Sequence, residues 1–276
     1  MNMTRRLLGS AMAAITIAAA GSAAAQSSPG EIDVLQDPSF RRASEELSPD
    51  ARLLAAAMLN FRLRQYRQAI PLLKQLAATN DSAAIQGLLA FAFNRNAEWQ
   101  NAYDAASASL KLDPGVPFSY GERGIAAYQL HRNQEAERDL ARYVRARPKD
   151  AGAHFYHGLA LARLGRLTEA RASLMLARLH RPLLAPFTDY NIALIDAQQA
   201  RYKEALRPLR RLDDAFKGYE GPFAEELRKR TEKVADAERV QASTLAIGNA
   251  VTQADADNAA SFSARLSDPR SGLPAK

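Results

Sequence analysis

Few side chains in this sequence stand at spacings that chemistry requires. His154 and His157 are three residues apart, which on a helix puts two imidazoles on one face and could begin a metal site. No carboxylate follows at ligand spacing, and both positions coincide with columns that pack helices, so their reading is structural. His131 and His180 fall near expected helix ends, where a partial negative charge favours a cation. Asp213 and Asp214 are sequence neighbours, point in different directions on a helix and make a poor acid/base pair. There is no Walker loop, G-x-S-x-G elbow, H-E-x-x-H run or dinucleotide fingerprint. The chain has no cysteine, which excludes disulfides, thiolate metal sites, a cysteine nucleophile and an acylated lipobox. The sequence predicts no catalytic residue, no cofactor and no metal, and it predicts that the protein is not an enzyme.

Composition is that of a soluble globular protein, 276 residues with 47% hydrophobic and 24% charged residues. Residues 1–25 carry a targeting signature. Arg5 and Arg6 precede an apolar run from Leu7 to Ala20, and Ala23-Ala24-Ala25 stands before Gln26. A basic start, a short apolar core and a small-residue cleavage site predict a secretory signal peptide. The run is shorter than the roughly 20 residues a membrane span needs. Gly9 stands where a twin-arginine signal carries lysine, so ordinary Sec export is expected. Cleavage would lower the net charge from +7 to +5. The expectation is a periplasmic chain with no stable membrane insertion. A pI near 9.7 alone points to nucleic acid, but the basic residues are interspersed with acids, so no nucleic-acid partner is expected.

The middle of the chain is periodic. Alanine recurs at Ala69, Ala102, Ala136, Ala170 and Ala205, with spacings of 33, 34, 34 and 35. Small residues recur in step at Ala57, Ala90, Gly124, Gly158 and Ala193. Tyr66, Trp99, Leu167 and Tyr202 precede the alanines by three, with Asn133 the exception. Leu73, Ala106, Leu140, Leu174 and Leu209 follow them by four, and Pro114, Pro148 and Pro182 are again 34 apart. Each period reads as a helix pair. His154, His157, Gly158 and Leu161 form one helical stripe, Gly165 ends it, and Leu167, Ala170, Leu174 and Ala177 form a second, closed by Pro182. One pair cannot bury its own stripe, so pairs must stack.

These small, large, alanine and proline columns resemble the tetratricopeptide repeat, of an exported bacterial type. The resemblance covers five repeats near 50–83, 83–116, 117–150, 151–184 and 185–218. Departures are Asn133 at an aromatic column, Arg123 and His157 at an aliphatic one, and Asp81 and Lys217 at the proline column. The fold implied is all-α, a right-handed solenoid of about five helix pairs over 49–218 with a C-terminal capping helix over 219–247. Ser48-Pro49 opens the first helix. Residues 26–48 read as a polar linker with one short helix around Phe40–Leu47, and 248–276 as a disordered tail.

The resemblance also implies that the first helix of each pair lines a concave groove. Its outward positions are Leu54, Met58 and Phe61, then Phe91 with Arg95, then Phe118, Ile125 and Tyr128, then Phe155 and Leu159, and finally Phe187, Tyr190 and Leu194. Arg62, Arg95 and Arg163 rim them. About half of such residues belong to packing between repeats. Phe61, Phe91, Arg95, Phe118, Tyr128, Phe155, Arg163, Phe187 and Tyr190 are the candidate partner-binding residues, with Tyr128, Phe155 and Tyr190 foremost. Related grooves that clamp a terminal carboxylate use lysine and asparagine where this chain has Leu54, Met58, Phe155 and Leu159, so a clamp is not expected. The function expected is a non-catalytic periplasmic adaptor that binds a protein or peptide segment. The alternative is a carbohydrate-handling module of an exopolysaccharide export system, with a polysaccharide as partner.

Overall fold

The computed structural model describes residues 33–215, 217–218 and 222–267, with side chains of the last helix described for 224–246. The expected signal peptide and residues 268–276 lie outside the described residues. All regular elements among the described residues are helices, in an all-α solenoid of antiparallel pairs. It divides into two units, 1–184 and 185–276.

In the first unit, a short helix α1 (Pro38–Ala43) precedes four pairs: α2 (Pro49–Arg62) with α3 (Tyr66–Thr79), α4 (Ala83–Arg95) with α5 (Trp99–Leu112), α6 (Pro117–Gln129) with α7 (Asn133–Ala146), and α8 (Ala151–Arg163) with α9 (Leu167–His180). A 3₁₀ turn at Pro182–Leu184 follows. The helices begin where local chemistry allows. Ser48, Ser82 and Asp150 accept hydrogen bonds from the backbone three residues on, each satisfying one free N–H of a first turn. The large residues Tyr66, Trp99, Leu167 and Tyr202 are each the first residue of a second helix.

The repeat columns are the core. The alanine column and the column four residues after it are fully buried in all five pairs. The small column lets two backbones meet: a Cβ on Gly158 would lie 2.7 Å from Leu174 Cγ and 3.0 Å from the Ala170 carbonyl oxygen. The aliphatic column has a partner sixteen residues on, and the two vary together. Arg123 makes a two-pronged ion pair with Asp139 at 2.6 and 3.0 Å, and His157 Nδ1 lies 3.1 Å from Ser173 Oγ. Leu89 and Ala105 fill the same slot with apolar atoms. Arg123 and His157 are therefore polar solutions to one packing problem.

The turn inside each pair also repeats. Positive φ occurs at Arg64, Ala97, His131, Gly165 and Ala200, spaced by the repeat, and glycine fills only one of these places. The residue after each donates its N–H to a carbonyl five back, from Gln65 to Asn60 and from Arg166 to Leu161 for example, at 2.8 to 3.0 Å. This is the Schellman ending, in which a left-handed residue closes the helix.

Two sequence expectations are corrected. The supposed polar linker is packed structure from Asp33 onward: Val34 and Phe40 are buried in the core against the first pair, and Asp37 caps α1. The scarcity of apolar residues there hid the fact that each one is used. In the second unit, α10 (Ala185–Gln198) pairs with α11 (Tyr202–Ala215), and α12 (Pro222–Ser267) packs on α11 through Leu227 and Val234. Helix α12 continues through Gly248 to Ser267, so the stretch expected to be disordered is helical up to that residue. Its frequent alanines have the highest helix propensity, and polarity alone does not oppose a helix.

Two stability outcomes follow. Ala97→Gly should raise stability by about 1 kcal/mol, because an L-residue at positive φ carries a cost that glycine avoids. Gly158→Val should lower it by about 1–3 kcal/mol through overpacking against Leu174 and the Ala170 carbonyl. Urea midpoints of both variants against the parent chain measure these differences.

Candidate functional site

The first helices lie side by side: α4 touches α6, and α6 touches α8, while no two second helices pack comparably among the described residues. The face that the first helices share is therefore the place to look for the predicted residues of the first unit.

Two aromatic groups form there. Phe61 and Phe91 meet edge to face at 5.2 Å, Tyr66 lies 5.9 Å from Phe91, and Phe118 follows at 6.1 Å. These rings come from three successive pairs, and Phe61 sits at the end of its helix, Phe91 within its own and Phe118 at the start. The row therefore runs diagonally across the helices. The second group is Tyr128, Tyr156 and Phe155, with ring separations of 5.8 and 5.6 Å. All of these rings are half-buried.

Arginines cover ring faces at one edge. Arg95 stands 4.9 Å over Phe91, and Arg163 stands 3.8 Å over Tyr128. Arg163 also donates from Nη1 to the Tyr128 carbonyl at 2.9 Å, bridging the third and fourth pairs. Such cation–π contacts hold a guanidinium in place while leaving part of its N–H fork open. Burial raises the Tyr128 hydroxyl above its ordinary range, opposed by the Arg163 charge, so it stays a neutral hydrogen-bonding group.

Beneath this surface lies a polar joint. Glu122 of α6 is buried, and Asn94 of α4 donates from Nδ2 to its carboxylate at 2.7 Å and to its backbone carbonyl at 2.8 Å. Burial holds the Glu122 carboxyl above its ordinary range; the Asn94 bond and the Arg95 charge work against this shift, and Asp150 adds to it. Sequence inspection passed over this pair because neither residue stands in a recognisable motif. The signal was the carboxylate of Glu122 in the middle of α6.

Other predicted positions separate. Leu54 and Ile125 are buried core rather than open face. Phe187 is 61% exposed on α10, and Tyr190 packs beside the α10–α11–α12 core; both belong to the second unit. Tyr156 and Tyr66 joined the aromatic groups unpredicted. His154 Nε2 lies 2.9 Å from the Pro148 carbonyl, and burial lowers the His157 pKa despite the nearby Glu137. Among the described residues no three histidine, aspartate or glutamate side chains converge as a metal site would require. No described helix is long and apolar enough to cross a membrane.

No protein-family model and no curated protein matches the chain. Solved structures do. MamA from Desulfovibrio magneticus RS-1 (residues 41 to the end) aligns with a TM-score of 0.53 at 17% identity, over 63% of this chain and 99% of that one. MamA of MSR-1 aligns at 0.51 and 21% identity, over 66% and 98%. A thermophilic tetratricopeptide protein of Thermus thermophilus, TTC0263, gives 0.48 and 21%, over 67% and 98%. The successive helix pairs, about 34 residues each with their alanine and leucine columns buried, are a fold of the tetratricopeptide type. Within this tetratricopeptide fold, the first-helix face of the first unit gathers Phe61, Phe91, Arg95, Phe118, Tyr128, Phe155 and Arg163 of the predicted set.

The buried Glu122 makes stability depend on pH. Its folded-state pKa lies above the unfolded value, so its favourable contribution is complete at low pH and is lost as pH rises from about 4.3 through the folded value. Glu122→Gln removes that loss. The urea midpoint of this variant, measured relative to the parent, should therefore move in the variant's favour between pH 4 and pH 7.5.

Proposed function

We propose that the protein is an exported, periplasmic, non-catalytic scaffold that holds a segment of a partner protein in a groove along its first-helix face. One observation carries the reading: half-buried aromatic rings from successive repeats share that face, with arginines laid over them. Aromatic and arginine side chains dominate the energetics of interfaces because they bury large areas at low entropic cost. Half-buried rings are pre-organised, so a partner would order few side chains on binding. The absence of a recognisable catalytic motif in the sequence agrees with a holding role rather than a chemical one.

Export rests on the sequence of residues 1–25. In a bacterial host, the periplasmic fraction should contain a chain beginning at Gln26. A full-length cytoplasmic chain would overturn the assignment.

The groove is tested by placing a photoreactive amino acid at position 155 in the exported protein and identifying adducts by mass spectrometry. A dominant protein adduct, lost when Tyr128→Ala is added with helicity intact, supports the scaffold. Adducts of polysaccharide in place of protein would favour the carbohydrate module, and no adduct from a folded, exported chain would remove position 155 from any binding face.

A further inference from the structure

The first helices of the first unit carry few acids, and those few are engaged. Helices α4 and α8 contain no acidic residue. The one acid of α6, Glu122, is buried against Asn94, and the one acid of α2, Asp50, accepts from Thr79 of α3. The second helices α5, α7 and α9 carry Asp104, Glu135, Glu137, Asp139 and Glu169 among at least as many bases, and α3 carries no acid.

The first helices end in arginine. Arg62, Arg95 and Arg163 occupy one repeat column, at the last residue of α2, α4 and α8, with Gln129 filling the place between. All three are exposed, and none is ion-paired among the described residues. The neighbouring turns add Arg64 and Arg132, and the sole acid there, Glu98, accepts from Asn96 and Asn101. The carboxylates near first-helix starts lie at the opposite edge and are engaged locally, Asp81 with Gln86 and Asp150 with Tyr143 and the Ala153 N–H. A helix C-terminus favours a base, which accounts for where each arginine sits. It does not account for a whole face without a free carboxylate.

We propose that the occupant of the first-helix face is an acidic protein segment, with carboxylates on Arg62, Arg95 and Arg163 and apolar side chains over the aromatic rings. The proposal rests on the scaffold reading and specifies its partner. The arginines suit the task. A guanidinium fork matches a carboxylate in two hydrogen bonds, and Arg95 and Arg163 are already held by their rings. Spacing follows from the helices. Neighbouring first helices are about 10 Å apart and an extended chain advances about 3.3 Å per residue, so carboxylates should recur about every three residues. The Arg62 and Arg95 sites are one step apart, and the Arg95 and Arg163 sites two.

The test uses the full mature chain and two fluorescein-labelled twelve-residue peptides, (Glu-Leu-Ser)4 and (Lys-Leu-Ser)4, followed by fluorescence anisotropy. The acidic peptide should bind at least about tenfold more tightly at 50 mM salt, and the preference should shrink at 300 mM. The double variant Arg95→Glu with Arg163→Glu, checked for unchanged helicity, should reverse the order of the two peptides. Equal binding of the two, preference for the lysine peptide, binding of neither, or an unaltered preference in the double variant would each overturn the proposal. The cross-link from position 155 decides the scaffold reading independently. A protein adduct obtained alongside a failed peptide preference would keep the scaffold and discard the acidic partner.

Discussion

The close approach of two helix backbones at a column of small residues is the constraint on which the rest of the structure depends. At Gly158 the space for a side chain is already filled by Leu174 and the Ala170 carbonyl. Once the two helices meet there, the leucine of the second helix is sealed, and the first helix must turn its remaining face toward the neighbouring pair. Stacking then follows, because a single pair leaves an apolar stripe uncovered. The five left-handed turns are the local cost of reversing the chain in so few residues, accepted even where no glycine is present.

Given that frame, the interior tolerates chemistry that would be unfavourable elsewhere. The slot between the aliphatic column and its partner sixteen residues on accepts Leu89 with Ala105, Arg123 with Asp139, or His157 with Ser173. In each pair apolar atoms meet apolar atoms, or a polar group meets a polar partner. A buried charge alone would be costly, whereas a two-pronged ion pair is compensated at short range. The Asn94–Glu122 joint obeys the same rule across a repeat boundary, as do the Ser109–Ser119 contact at 2.6 Å and the Tyr103–Glu135 bond at 2.6 Å. These directional contacts hold the register of neighbouring pairs more tightly than apolar packing alone.

The surface carries the consequence. First helices are apolar and aromatic because they pack on each other, and the part of each ring that packing leaves open is available to a partner. Three of the second helices, α5, α7 and α9, carry carboxylates, several of them tied to arginines, as Glu137 and Glu169 are to Arg166. The arginines at the first-helix ends lack such partners, so the first-helix face holds exposed bases without an ion-paired acid among the described residues. A scaffold reading and an acidic partner both draw on that feature.

The repeat itself was readable in the residues. Alanine, leucine and proline columns about 34 apart determine helix pairs, their boundaries and their buried faces, because a helix can be paired in few ways once its small residues are placed. Gly165 announced one left-handed turn, but Arg64, Ala97, His131 and Ala200 did not, since the helix ending imposes that conformation on whatever residue arrives. Val34 and Phe40 were unreadable as core because they form no periodic stripe; only contact with the first pair buries them. The binding candidates divide in the same way. Which residues face away from the partner helix follows from the helical period. That Leu54 is sealed, that Tyr156 joins Tyr128, and that Arg163 crosses from one repeat onto the ring of another were decided by tertiary packing. These contacts join residues about one repeat apart, a distance at which the period specifies alignment but not which side chains meet.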